Sequence, residues 1–90
     1  HSWAISFDEW KKIVVGAVCH YCSGPLDGTG SGLDRKDNAR DYEIDNVVPC
    51  CGRCNFTRGN RFTYEEFVKF IVPGIIAADA SRRESCNIAA

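Results

Sequence analysis

Ninety residues, 44% of them hydrophobic and 26% charged, are enough for one globular domain and too few for two. No apolar run approaches the ~20 residues of a membrane span, which excludes a spanning helix. With eleven Lys and Arg against twelve Asp and Glu, the net charge of −1 excludes a nucleic-acid partner argued from overall basicity.

In chain order, Ser6-Phe7-Asp8-Glu9 reads as a capping box, and Phe7, Trp10, Ile13, Val14 and Ala17 follow at helical spacing. A first helix is predicted over 7–16, closed near Gly16. Val18 leads into Cys19-His20-Tyr21-Cys22-Ser23-Gly24-Pro25, a run suited to a tight knuckle. The glycine-rich stretch 24–32 lacks the lysine and hydroxyl residue of a phosphate-cradling loop and reads as a plain turn. Residues 33–36 and 46–50 are strand candidates joined by a polar loop, an extended hairpin. Cys51 and Cys54 open a short helix ending near Gly59. Thr63-Tyr64-Glu65-Glu66 is a second capping box, ahead of a helix over 64–72. Pro73-Gly74 is expected to break it, with one more helix over 75–83 and frayed last residues. Trp10, Phe67 and Phe70 belong to the predicted core, while Tyr42 and Phe56 are expected half exposed.

The cysteines carry the strongest signal. Cys19/Cys22 and Cys51/Cys54 are two C-x2-C pairs, the spacing at which four thiolates surround a structural Zn²⁺. The rival is a disulfide framework, since six cysteines make an even number. The neighbours Cys50 and Cys51 pair badly with each other, and no signal peptide precedes the knuckle, so zinc and an intracellular setting are expected. That setting is cytoplasmic in a bacterial or phage-infected cell, or nuclear. Cys50 is then a small buried hydrophobe, and Cys86 is spare.

Knuckle, hairpin and helix in this order, with one cysteine pair on the knuckle and one at the helix start, define a treble-clef arrangement: an α+β domain with a single structural zinc, flanked by helices at both ends. It occupies 1–90, with a motif core over 19–67 and an extension over 73–90. Such a clasp can bring Asp34 of the hairpin and Asn55 of the helix to one point. A carboxylate with an amide carbonyl is a sparse oxygen pair of the kind that holds Mg²⁺. Arg53, Arg58 and Arg61 form a local basic strip with no acid among them, suited to phosphates; a solvated charged face is the plainer reading.

The stretch from Cys19 to about Phe67 resembles the HNH, or ββα-metal, nuclease family, most closely its zinc-stapled phage and homing-type branch. In that branch an acid-His pair on a strand leads to an Asn, then to Cys-x2-Cys-Asn and a basic residue. The resemblance implies that Asp34 and Asn55 bind a catalytic Mg²⁺ or Mn²⁺, that Asn46 fixes the loop, and that Arg58 faces phosphate. Where the family has its general-base His, this chain has Arg35, which cannot accept a proton from water. A metal-bound hydroxide, or a group such as His20 or Asp37, could then supply the nucleophile while Arg35 clamps phosphate, or the domain could nick slowly. The implied activity is hydrolysis of phosphodiester bonds in DNA. The alternative is a catalytically inactive zinc module that binds nucleic acid or protein.

Overall fold

The structure, a computed structural model, describes residues 2–28 and 30–89, with side chains through residue 84. Cys86, expected to be spare, lies outside the described side chains. Two three-residue strands, β1 (Leu33–Arg35) and β2 (Val47–Pro49), pair antiparallel as the predicted hairpin. Leu33 lies opposite Pro49, Asp34 opposite Val48 and Arg35 opposite Val47. Successive strand residues face opposite sides, so Asp34 and Val48 share one face while Leu33, Arg35 and Val47 share the other. A ribbon this short is not stable alone. It persists because both faces are covered.

On the Leu33–Val47 face lies α1 (Phe7–Val14), which buries Leu33 and Val47 together with Ile5 beneath Trp10, Ile13 and Val14. Its Ser6–Glu9 capping box is complete: the Ser6 hydroxyl accepts from Glu9 N–H and the Glu9 carboxylate from Ser6 N–H. The chain before α1 straps onto the hairpin loop, with Ala4 N–H donating to Tyr42 O and Tyr42 N–H to Ser2 O.

On the opposite face a second core gathers Val48, Tyr21 and the knuckle cysteines with Phe67 and Val72. There α2 (Gly52–Arg58) starts on Cys51 as N-cap and ends at Gly59, whose φ of +47° suits glycine. Cys54 and Arg58, four residues apart and so on one side of the helix, are its buried residues.

The second capping box also forms, Thr63 with Glu66, and starts α3 (Tyr64–Glu66). Contrary to the predicted break, the helix does not stop at Pro73. It passes through a π-helical stretch, Phe67–Ile71, into α4 (Val72–Ala89), which also replaces the predicted short helix and frayed end. Proline in a helix lacks a donor and crowds the carbonyl four residues back. The wider turn ahead of it, in which Val72 N–H reaches Phe67 O, relieves that crowding. The same turn corrects the core assignment of Phe70. An extra residue per turn rotates Phe70 away from Phe67, leaving it 67% exposed while Val72 takes the inward place.

Candidate metal centre and its neighbouring acid

The knuckle after Val18 folds back tightly: Cys19 N–H donates to Gly24 O and Ser23 N–H to Cys19 O, with Ser23 at φ +61°. This places Cys19 and Cys22 against the start of α2, where Cys51 and Cys54 sit one turn apart. The ligand atoms of all four lie within 4.8 Å of one another. Cys22 Sγ and Cys51 Sγ are 3.8 Å apart, the edge, about 3.8 Å, of a tetrahedron with Zn–S bonds of about 2.3 Å. Backbone N–H groups of Gly24 and Cys54 point at Cys22 Sγ (3.4 Å) and Cys51 Sγ (3.5 Å), as thiolate ligands accept them.

Cys19, Cys22, Cys50, Cys51 and Cys54 are all free thiols, which removes the disulfide reading for them. Cys50, 2% exposed, sits beside Cys19. Its S–H donates to Cys51 O at 3.3 Å, and the closeness of the two sulphurs pulls the Cys19 thiol down while Cys19 and burial push Cys50 up. Burial also raises Cys51 and Cys54. Thiolates this close oppose each other unless a cation lies between them, and the soft donor set suits zinc. The four cysteines fit a structural metal.

Next to this cluster, Asp34 points toward α2. Tyr21 Oη donates to Asp34 Oδ2 at 2.5 Å and Arg58 Nη1 donates to the same oxygen at 2.6 Å. The Arg58 guanidinium also donates to the carbonyls of Arg35, Lys36 (2.7 Å) and Phe62 (3.3 Å). Arg58 is 0% exposed. It therefore does not face phosphate as expected: its donors are consumed inside the fold, tying α2 to β1. Tyr21 gave no sign in the sequence, since a ring between two ligand cysteines reads equally well as surface. Burial first, and then its bond to Asp34, raise its phenol.

Both donors to Asp34 converge on Oδ2, and Oδ1 receives no hydrogen bond from the described residues. Every fully buried side-chain polar atom among them has a partner, so Oδ1 keeps a path to water. Asn55, one turn before Arg58 on α2, is exposed. Outer hydrogen bonds on one oxygen of a carboxylate are the usual way a metal-binding acid is aimed. No hydrogen bond joins Asp34 to Asn55 among the described residues.

The remaining candidates are distributed as follows. Asn46, 1% exposed, spends its whole amide on the loop: Oδ1 accepts from Asp37 N–H, and Nδ2 donates to Asp37 O and Asp41 O. Arg35 donates to Asn38 O and Arg40 O, both at 2.8 Å, and lies 5.2 Å from the Tyr42 ring centroid. It pins the loop and does not stand free as a phosphate clamp. Asp37 is a turn former, accepting from Ala39 N–H. His20, exposed, shares a 2.7 Å hydrogen bond with Tyr64 Oη. Arg53 makes a two-pronged ion pair with Asp79 (2.8 and 2.9 Å), so it too has an internal partner. Arg61 alone of the three strip arginines makes no ion pair among the described residues. It lines a groove of about 760 Å³ whose other charged residues include Lys36 and four acids, Asp37, Asp45, Glu65 and Glu66; Asp34 and Asn55 lie outside that lining.

No family model matches the chain, and no solved structure matches it. An uncharacterized protein of Acanthamoeba polyphaga mimivirus is 32% identical over 66 residues, which is 73% of this chain and 12% of that protein. The chain thus spans about an eighth of that relative's length. What the fold establishes is a small α+β domain with a four-cysteine cluster able to hold a structural metal. No helix of the described residues is long and apolar enough to cross a membrane.

Proposed function

We propose that this is a zinc-stapled treble-clef domain of HNH type that hydrolyses phosphodiester bonds in DNA. The observation supporting this reading is the aim of Asp34: on β1, turned to α2 and held through Oδ2 by Tyr21 and by Arg58, which stands one helical turn after an exposed Asn55. Bound there, Mg²⁺ or Mn²⁺ supplies charge neutralisation at the scissile phosphate and the leaving oxygen. The chain's own residues do the positioning. Tyr21 and Arg58 fix the carboxylate, Asn46 and Arg35 fix the loop after β1, and Arg61, exposed and bonded through Nη1 to the carbonyls of Phe56 and Thr57, keeps its other donors for a phosphate. None of the residues at this corner replaces the missing general base, a loss worth on the order of 10²–10⁴ in rate, so the expected enzyme is slow.

The test is relaxation of supercoiled plasmid in Mg²⁺ or Mn²⁺ by the zinc-loaded protein and by Asp34→Asn and Asn55→Ala. Nicking by the parent and its loss in both variants supports hydrolysis. Identical plasmid patterns for all three would remove it. One observation favours a second reading, a non-catalytic zinc module that binds nucleic acid: Arg58 already neutralises Asp34, which a purely structural pair would also do. That reading expects binding without relaxation.

A further inference from the structure

Phe56 is 78% exposed, more than any other large hydrophobic side chain among the described residues. It follows Asn55 directly on α2. Arg61 is folded back against it, with its guanidinium 5.7 Å from the ring centroid and Nη1 donating to Phe56 O at 2.9 Å. Gly59 makes this return possible: it stands at φ +47°, and a Cβ there would lie 2.9 Å from Arg61 Nη1. A turn only glycine takes easily therefore holds a planar cation beside an open ring. The other exposed residues nearby in the chain, Asn55 and Asn60, are polar. A protein partner seeking apolar contact would need a wider patch. A nucleobase needs one ring face, and its backbone needs one cation.

We propose that Phe56 and Arg61 form a stacking platform for an unpaired base of single-stranded nucleic acid, the ring taking the base and Arg61 the adjoining phosphate. This rests on the reading that the domain acts on nucleic acid, and narrows its substrate to strands that are single or locally opened.

Fluorescence anisotropy of the zinc-loaded chain, with a labelled single strand and with the same sequence as duplex, tests the platform. Phe56→Ala is expected to weaken the single strand by roughly tenfold and leave the duplex unchanged, while Phe56→Trp restores binding. Arg61→Ala is expected to weaken both and lower the salt dependence by about one charge. Equal affinity of Phe56→Ala and parent for the single strand overturns the platform, as does an equal fall for strand and duplex. If the parent binds neither nucleic acid, the platform and the underlying reading fall together. If parent and Phe56→Ala bind and nick alike, the platform alone falls.

Discussion

Two clasps hold α2 against the hairpin. One is the four-sulphur cluster at the start of α2; the other is the Asp34–Arg58 pair, with Tyr21, near its end. They do the same mechanical work with opposite chemistry. The sulphur clasp is four ligands able to hold a cation, and once loaded it would draw its strength from that ion and yield to a chelator. The ion-pair clasp is made wholly of chain atoms, and its cost of desolvation is met by five hydrogen bonds, one from Tyr21 and four from Arg58. The first is a folding device that says little about function. The second sits where function is proposed.

Stripping the metal is the widest way to separate them. In zinc-finger peptides, structural zinc contributes apparent free energies of about 10–16 kcal/mol, more than the total stability of a typical domain. Chelation, or Cys54→Ser, is expected to unfold the domain cooperatively by circular dichroism. A melt unchanged by chelator would show that the ion-pair clasp suffices alone.

Breaking the second clasp comes next. Arg58→Met leaves Asp34 buried without its partner, for which about 3–5 kcal/mol is expected in urea denaturation. The double variant Asp34→Leu with Arg58→Met is expected to recover most of this, because no charge is then stranded. If the single and double variants lose equally, the pair is not coupled and Asp34 is free for another role.

The two clasps also differ in how far the sequence disclosed them. Ligand spacing is nearly a geometric statement, since C-x2-C on a knuckle and on a helix start leaves few other arrangements; capping boxes and Gly59 are legible for the same local reason. An arginine's partner is not local. Arg58 was read as facing phosphate because nothing in its neighbourhood names Asp34, which is 24 residues away in the chain. Arg35, likewise, was set beside a missing base, whereas its donors go to Asn38 and Arg40 just downstream. Pro73 misled in a different way: the break it implies was absorbed by the preceding wide turn, which no propensity announces, and Phe70 was turned outward with it.

Arg35 gives a prediction of intermediate size. Replacing it by His puts a residue able to act as a base at this position but forfeits two charged-donor hydrogen bonds to loop carbonyls, each worth about 1.5–3 kcal/mol. Because one of the two bonds is exposed and screened by water, the loss is expected to fall below their sum, at about 1–2 kcal/mol in denaturant. Arg35→Lys is expected to lose part of this, since an ammonium can reach the carbonyls but has no planar face to lay on the Tyr42 ring. A lysine variant as stable as the parent would return Arg35 to the solvent side of the argument.

The smallest effect is expected at the bridge from α2 to α4. Arg53 hydrogen-bonds Asp79 and holds its carboxyl below the usual carboxylate range, with Arg82 adding to the same direction. A carboxyl whose folded pKa is lowered binds fewer protons folded than unfolded. Its stabilisation is therefore present above the unfolded pKa, about 3.9, and is lost as pH falls through the lower folded value. Acid also releases thiolate-bound metal, so the parent's own acid melt mixes both clasps with this bridge. The difference between parent and Arg53→Gln isolates it. That difference is expected to be small and constant near neutral pH, to shrink below about pH 4, and to shrink likewise in high salt. A difference that grew on acidification would have the wrong sign for a bridge made by Asp79, and would place the helix's attachment elsewhere along α4.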